Sequence, residues 1–460
     1  MRSIWAVATN TVRQALRMKV AVVFTILLIV LLPVMGASMT GDGTLKGKLQ
    51  TFVSYGLSLT SILLCLLTII VSVYSLASDL EQKQIYTVIT KPIRRFQLLL
   101  GKLLGVLLLD AGLLVFFSAI IYIITIYMPK FTGAPEAERM QARNEFYTAR
   151  AGLTPVEADV TKDVDYIYEK LEKSGQLPAE VITNKAANRN YKDTIAMRVR
   201  LAKRAAAPGQ ELLWEFHNVK PHDPNESLFI RFKYDVSENP PDLQVFSQWQ
   251  AGDYRQFQYG GKVETPVYSF DRKDLIRTFY EIEVPADAVA ADGYLAVGFL
   301  NVPQLNNTVV IFPPEDGLEV LYKADSFTAN FVRAVLLVMF RLVFLACLGI
   351  LAATFLSFPV AILFCLVIFL TGTVSGFCLE SFDDLSKNLN SIYYYTIRPI
   401  IQLLPQFDKF NPAKFLVPGR LMSWSLLARV LGVMICIKAV LLLLLALLIF
   451  SYREIAKIVV

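Results

Sequence analysis

Apolar residues are concentrated in two parts of the chain, 20–128 and 331–451, whereas residues 129–330 have the texture of a soluble domain. A helix needs roughly 20 apolar residues to cross about 30 Å of hydrocarbon. Six stretches meet that requirement, at 20–37, 52–76, 98–127, 332–354, 358–378 and 426–451. The pattern predicts an α-helical polytopic membrane protein with a large insertion between its third and fourth spans.

Basic residues in the short flanks predict the orientation of the spans, because Lys and Arg collect on the cytoplasmic side. One side carries most of them: Arg2, Arg13, Arg17, Lys19, Lys83, Lys91, Arg94, Arg95, Lys102, Arg453 and Lys457. The loop at 38–51 carries only Lys46 and Lys48. We therefore expect both termini and the 77–97 loop to be cytoplasmic, and the insertion and the 379–425 segment to face outward.

The residues before the first span repeat at helical spacing. Their apolar positions are Ile4, Trp5, Ala8, Val12, Ala15 and Leu16, with basic residues among them. The spacing predicts an amphipathic helix that lies on the cytoplasmic face of the lipid bilayer. The alternative is a simple basic extension of the first span.

The insertion at 129–330 divides into two textures. Residues 129–205 are charged and rich in Ala, Glu, Arg and Leu, which predicts helices. From residue 206 to 325 the pattern is that of short strands: Leu228–Val236 alternate in polarity, and Pro240-Pro241 and Gly260-Gly261 mark turns. We expect a helical stalk followed by a β-sandwich.

Two groups of side chains in the insertion are candidates for a ligand-binding site and a metal site. An aromatic platform for glycans or peptides could form from Trp249, Tyr254, Phe257 and Tyr259, although such residues more often pack in a core. His217 and His222 lie near Asp223 and Glu226, but their spacing matches no strong zinc pattern. No arrangement typical of a catalytic triad or carboxylate pair is present, so we expect no enzyme activity and no metal.

The composition of the chain argues against two kinds of ligand, nucleic acids and metal ions bound by cysteines. The net charge is +6, and the basic residues flank apolar spans instead of forming one patch, which argues against nucleic-acid binding. The five cysteines lie in or at the ends of apolar spans, at Cys65, Cys347, Cys365, Cys378 and Cys436. Their spacing fits no metal site, and we expect them to be buried thiols.

Three charged residues lie deep inside the predicted spans: Asp110, Arg341 and Lys438. Asp110 lies about 12 residues into the third span, roughly 18 Å deep. An ionised group at that depth costs several kcal/mol unless it is paired or hydrated. We therefore expect Asp110 to pair with Lys438 or Arg341, or to line a hydrated pathway; a pair that only fixes helix register is an equal alternative.

The cytoplasmic loop at 77–97 contains a short helix with one apolar face. Ile85, Val88 and Ile89 recur at i, i+3 and i+4, and Pro92 ends the helix beside Lys91, Arg94 and Arg95. Such a face needs a partner. It packs either on the protein's own helices or in a groove on another protein.

At this loop the chain resembles the ABC-2 type permeases, the membrane subunits of many bacterial ABC exporters. The matching features are Glu81, a coupling helix at 84–90, Pro92, Arg94 and Arg95, and Gly101-Lys102 at the start of the third span. Many members have Gly-Thr where this chain has Lys83-Gln84.

A second resemblance precedes the last span. Leu404-Pro405, Phe407, Phe410-Asn411 and Gly419 are similar to the outer re-entrant hairpin of the same family. The resemblance covers residues 1–128 and 331–460 and leaves the insertion aside.

The resemblance implies an exporter subunit in a bacterial inner membrane, with the outward side periplasmic. The chain has no G-x-x-x-x-G-K-[ST] loop, so ATP and Mg²⁺ are expected on a separate ATPase. It also implies two permease subunits, identical or related, on an ATPase dimer. The alternative is a signalling or assembly protein whose spans only anchor the β-domain.

Overall fold

A computed structural model describes residues 2–81, 94–157, 159–178, 181–182, 185–220, 227–258, 265–314, 316–385, 396 and 398–452. The chain forms two compact units. The membrane unit comprises Met1–Ala149 and Ser326–Val460, and the insertion unit comprises Arg150–Asp325. The sequence pattern put the start of the insertion at 129, whereas the compact insertion unit begins later.

The first part of the membrane unit is helical throughout. Its helices are α1 (Arg2–Leu16), α2 (Lys19–Ser38), α3 (Leu45–Glu81), α4 (Arg95–Phe131) and α5 (Glu136–Glu145). The short α5 belongs to this unit because it packs on α3: Ala142 is fully buried, and the Leu45 amide donates to Glu138 Oε2 at 3.0 Å. That packing explains why the unit boundary falls after α5 instead of at the end of the third span.

Helix α1 crosses α4 at two glycines one helical turn apart. A Cβ at Gly101 would lie 2.7 Å from Val7 Cβ, and one at Gly105 would lie 2.6 Å from Thr11 Cβ. Small residues in this G-x-x-x-G spacing let two helix backbones approach closely. The contact buries the small face of α1, while Trp5 is 57% exposed on the other side.

The insertion unit mixes helices and strands. In chain order its elements are β1 (Thr148–Leu153), α6 (Thr161–Lys173), α7 (Lys185–Lys203), β2 (Ala205–Ala206), β3 (Glu211–Phe216), β4 (Ser227–Phe232), β5 (Asp235–Val236), β6 (Gln244–Gly252), α8 (Arg255–Gln258), β7 (Tyr268–Leu275), β8 (Tyr280–Pro285), β9 (Leu295–Asn301), β10 (Val310–Ile311) and β11 (Leu318–Ser326). Strand β1 interrupts the region 129–205 that the sequence indicated as wholly helical. Its Arg150 is buried against Glu281 at 2.8 Å, a cross-strand partner that local sequence does not reveal.

Two four-stranded sheets share one core in this unit. Their strand orders are β1-β11-β4-β8 and β3-β9-β6-β7, and a small sheet has the order β2-β10-β5. Strand β4 alternates buried and half-buried residues, so one face points inward. The ring of Phe232 on β4 lies 4.4 Å from that of Trp249 on β6, which joins the two larger sheets. Trp249 is fully buried.

The chain then returns to the membrane unit. Its remaining helices are α9 (Phe327–Phe355), α10 (Phe358–Leu385), α11 (Arg398–Leu403), α12 (Ala413–Leu416), α13 (Trp424–Val430), a π-helical segment (Leu431–Ala439) and α14 (Val440–Tyr452). Ser326 and Ser423 cap α9 and α13 by accepting from backbone amides three residues on. Pro359 stands in the first turn of α10, where a missing amide hydrogen costs no helical bond.

Six helical stretches in the described residues are long and apolar enough to cross a membrane: Lys19–Ser38, Leu45–Asp79, Arg95–Phe131, Phe327–Phe355, Phe358–Leu379 and Trp424–Tyr452. They confirm a polytopic helical membrane protein and extend the second, third and fourth predicted spans by several residues. We call the side where α4 ends and α9 begins the insertion side, and the side of residues 82–93 the loop side.

The α1–α4 crossing gives a first prediction. Gly105→Ala should lower the apparent melting temperature of the purified protein in detergent, because overpacking a close contact typically costs about 1–3 kcal/mol. Gly112→Ala is the matched control in the same helix, since no atom lies within 4 Å of a Cβ built there. Equal melting temperatures for the two variants would contradict the close crossing.

Candidate functional site

The predicted coupling loop is only partly within the described residues. Ile85, Val88, Ile89 and Pro92 lie outside them. Glu81 is the last residue of α3, and Arg94 immediately precedes α4. The structure therefore describes the two ends of the loop, where α3 and α4 meet it.

A buried ion pair joins these two ends. Lys102 Nζ on α4 lies 2.7 Å from Asp79 Oδ2 on α3, and the side chains are only 2% and 12% exposed. The contact is a close ion pair, not a well-aligned hydrogen bond, since Lys102 Nζ meets no hydrogen-bond geometry. A buried charge without its partner is costly, so moving α3 away from α4 would be costly as well. The pair therefore holds α3 and α4 together at the base of the loop.

Two further polar contacts connect other helices to the base of the loop. Gln14 Nε2 on α1 donates to Ser78 Oγ at 3.2 Å, next to Asp79. Arg95 Nη1 donates to the carbonyl oxygens of Phe450 and Ser451, at 3.1 and 2.8 Å. These carbonyls belong to the last turn of α14, where a cation is favoured by the helix dipole. The loop base thus joins α1, α3, α4 and α14.

The second candidate site is the segment between α10 and α13, which we call the re-entrant segment (residues 398–422). Its deep part contacts residues far from the insertion-side ends of their helices. Arg341 lies 14 residues after the start of α9, and Gly372 lies 13 residues before the end of α10. At 1.5 Å per residue both are about 20 Å from the insertion side. The segment therefore reaches the middle of a bilayer whose hydrocarbon is about 30 Å thick.

Two cations of the spans hold the deep part of the segment. Arg341 Nη2 donates to the Phe407 carbonyl oxygen at 2.9 Å, and Arg341 Nη1 donates to Ser61 Oγ on α3 at 3.2 Å. The guanidinium also lies 5.0 Å from the Phe407 ring centroid. Lys438 Nζ, in the π-helical segment, donates to the Leu404 carbonyl oxygen at 2.9 Å. Irregular backbone needs such donors because hydrocarbon offers none.

Helix α10 receives the segment at a second pair of glycines. The Phe407 amide donates to the Gly372 carbonyl oxygen at 2.9 Å, and a Cβ at Gly372 would lie 2.8 Å from the Pro405 carbonyl oxygen. One turn on, the Asp408 carboxylate packs against Gly376 and accepts from the Phe377 amide at 3.0 Å. Because Gly372 and Gly376 have no side chains, the re-entrant segment can pack directly against the backbone of α10.

The returning part of the segment is held near the insertion side. Asn330, fully buried on α9, donates to the Arg420 carbonyl oxygen and accepts from the Met422 amide, both at 2.8 Å. Gln50 on α3 donates to the Val417 carbonyl oxygen at 2.8 Å. Gly419 has a φ of +63° and lies against the carbonyl oxygen of Glu145, a position that no side chain could share.

The residues of the re-entrant segment that resemble the family have different structural roles. Phe407 is 2% exposed and packs between α9 and α10, with its ring centroid 6.1 Å from those of Phe344 and Phe369. Phe410 is half-buried against the apolar core. Asn411 Oδ1 accepts from the Ala413 amide at 3.1 Å and so begins α12.

The expected pairing of Asp110 with Arg341 or Lys438 is wrong. Asp110 is fully buried, and neither of its carboxylate oxygens has a hydrogen-bond partner among the described residues. The two cations donate to carbonyl oxygens of the re-entrant segment instead. The segment supplies backbone acceptors at the depth of the cations, and a sequence pattern that treats spans as simple helices does not contain these acceptors.

The aromatic platform expected on the insertion does not form as proposed. Trp249 is fully buried in the core, and its Nε1 donates to Ser247 Oγ at 3.1 Å. Tyr254 donates to Gln250 Oε1 at 2.8 Å, and Phe257 is 61% exposed. Tyr259 lies outside the described residues. Core packing, the alternative interpretation, holds for Trp249.

The polar groups around His217 are engaged with one another. The His217 ring lies 5.5 Å from that of Tyr294, whose hydroxyl donates to Glu215 Oε1 at 2.8 Å. Arg255 donates to both carboxylate oxygens of Asp292, which lowers the pKa of that carboxyl to about 2. His222, Asp223 and Glu226 lie outside the described residues, and no metal-binding group of three or more His, Cys, Asp or Glu residues occurs in the part of the chain that the structure describes.

Comparison with known proteins bears on the first part of the membrane unit. The family model described as ABC-2 family transporter protein matches residues 5–142, which begin within α1, end within α5 and include residues 82–93. No curated protein and no solved structure matches the chain. The match supports an ABC-2 type permease and so confirms the resemblance that the loop residues suggested.

The ion pair at the loop base gives a second prediction. Lys102→Met should destabilise the purified protein by about 3–5 kcal/mol, because Asp79 is left as an unpaired buried charge. The double variant Asp79→Leu with Lys102→Met should recover most of that loss, since apolar replacement of a whole buried pair is often neutral. Denaturant unfolding in detergent measures both. A double variant no more stable than Lys102→Met would show that the two residues do not act as a pair.

Proposed function

We propose that this ABC-2 type permease couples ATP hydrolysis on a separate ABC ATPase to the outward movement of a substrate across a bacterial inner membrane. Permeases of the family are transport subunits that do not themselves hydrolyse ATP, and the family implies association with an ABC ATPase. The observation that carries the coupling is the path of α3, which contacts both candidate sites.

Helix α3 runs from the re-entrant segment to the loop base as one element of 37 residues, about 55 Å long. Near the insertion side its Gln50 holds Val417, and in the middle its Ser61 accepts from Arg341, which holds Phe407. At the loop side its Asp79 pairs with Lys102. A displacement of the loop by a docked partner would therefore move an element that supports the segment.

The energy source is expected outside this chain. The stretch Gly101-Lys102-Leu103 lacks the upstream glycine and the hydroxyl residue of a phosphate-binding loop, and Gly101 and Lys102 already serve helix packing and the ion pair. ATP and Mg²⁺ then bind the partner ATPase. By resemblance we expect two permease subunits, identical or related, on two ATPase subunits.

The proposed orientation of the permease in the membrane rests on the basic residues that flank its spans. With Lys and Arg collected on the loop side, residues 82–93 and both termini face the cytoplasm, where the ATPase is. The insertion side, with the β-sheets of the insertion unit, is then periplasmic. Outward transport follows from the resemblance to exporter subunits.

The competing hypothesis, a membrane anchor for the β-domain, accounts for less of the structure. An anchor needs apolar spans, but it has no use for a non-helical segment held at mid-membrane depth by Arg341 and Lys438. Irregular backbone at that depth is typical of pathways and binding sites in membrane proteins.

Docking of the loop gives a third prediction. The double variant Val88→Asp with Ile89→Asp should lose the ATPase when the tagged permease is purified from native membranes, because two charges would enter an apolar contact. Quantitative mass spectrometry of the co-purified proteins measures the loss, which we expect to exceed tenfold.

The matched control is Thr87→Asp with Thr90→Asp, which places the same two charges on the opposite face of the predicted helix. It should keep the ATPase, and both variants should insert into the membrane at wild-type level. Wild-type recovery of the ATPase with the Val88 and Ile89 substitutions would refute docking through this face. If no ABC ATPase accompanies even the wild-type permease, the anchor hypothesis is favoured.

A further inference from the structure

A cleft of about 430 Å³ lies between the re-entrant segment and the last span. Its volume is in the range of sites that bind small molecules, about 300–1,000 Å³. One wall comes from the turn at Pro405–Phe410, and the other comes from the end of α13 and the π-helical segment. Short π-helical stretches are rare and frequently mark functional sites.

Three cations line this cleft: Lys409, Arg429 and Lys438. None of the lining residues is acidic. The neighbouring Asp408 is not among the lining residues, and its carboxylate packs against Gly376 of α10 and accepts from the Phe377 amide. Lys409 and Arg429 form no ion pair with a described residue within 4 Å. The cleft therefore concentrates positive charge and is complementary to an anion.

The cations are arranged from the membrane surface inward. Arg429 lies five residues after the start of α13, about 8 Å along the helix, and Lys438 lies about 20 Å along it. A cation at such depth is costly without a counter-charge or access to the headgroups. Arg and Lys are also the side chains that best bind phosphate oxygens.

The remaining wall of the cleft is apolar. Phe410, Val433 and Met434 face it, and it continues onto a helix surface that the membrane unit leaves uncovered: Val433 is 47% exposed and Ile437 is 61% exposed. An acyl chain could lie along that surface while its charged end stays beside the cations. A free inorganic anion would use only the cationic part of the cleft.

We propose that the cleft binds the anionic headgroup of a bilayer amphiphile, such as a phosphate-bearing lipid, with its chain along the last span. Arg429 and Lys409 bind the headgroup, and Lys438 keeps its bond to Leu404 and adds positive charge at the deep end. The inference does not depend on ATP coupling, because binding is a property of the permease alone.

The test uses purified, delipidated permease in a neutral detergent and native mass spectrometry. Phosphatidylglycerol is the probe, phosphatidylcholine is the zwitterionic comparison, and inorganic phosphate is added as a competitor. The variant is Lys409→Gln with Arg429→Gln. Both residues are exposed in the chain, so the variant should keep the wild-type melting temperature. The matched control, Lys130→Gln with Lys414→Gln, removes the same charge from the insertion side outside the cleft.

We expect the wild-type permease to prefer phosphatidylglycerol, and the cleft variant to bind it about thirtyfold more weakly, at a factor of about five per cation. The control should stay within twofold of the wild type. Equal affinity for the two lipids, or an unchanged affinity in the cleft variant, would overturn the proposal. Full displacement of the lipid by millimolar phosphate would also overturn it, because the site would then bind a free anion. Absence of lipid binding by a permease dimer would also overturn it, because a second copy would then fill the cleft.

Discussion

The structure of the membrane unit depends on one constraint: backbone that leaves a helix inside the hydrocarbon must find its hydrogen-bond partners in protein. The re-entrant segment meets this constraint through side chains of three spans: α3, α9 and the last span. Arg341 and Lys438 donate to carbonyl oxygens at its deep end, and Asn330 and Gln50 donate at its return. The segment therefore explains the two deep cations, Arg341 and Lys438, which do not need Asp110 as a partner.

The same contacts give the membrane unit a mechanical connection. Helix α3 supports the segment at Gln50 and Ser61 and reaches the loop base at Asp79, where Lys102 joins it to α4. The close crossing of α1 on α4 at Gly105 stiffens the same base. Helix α3 therefore connects the loop base to the segment through side chains that are buried or half-buried.

Hydropathy alone was enough to place the six spans, because each needs a long apolar run. Local residues likewise indicated the segment around Phe407, whereas the predicted loop at 77–97 overlaps the ends of α3 and α4, and residues 82–93 lie outside the described ones. Contacts between distant positions were not accessible in that way. Asp110 was assigned a cation that in fact binds the segment's backbone. The sequence predicted a helix where strand β1 lies, because the partner of its charged Arg150 is not nearby in the sequence. That partner is Glu281, 131 residues away along the chain. Asn330, Gln50 and Gly372 carry no local signal, since a buried amide or a glycine in a span is unremarkable until its partner is known.

The most direct test of the central claim is a disulfide between α10 and the re-entrant segment. A Cβ at Gly376 would lie 2.8 Å from Asp408 Cγ, so Gly376→Cys with Asp408→Cys brings two thiols within bonding reach. In a background without the five native cysteines, mild oxidation in native membranes should link the two positions, as seen by mass spectrometry of the joined peptides. Gly112→Cys with Asp408→Cys should give no link. Failure of the first pair to link, in a variant that is inserted and folded, would contradict a segment held at mid-membrane depth.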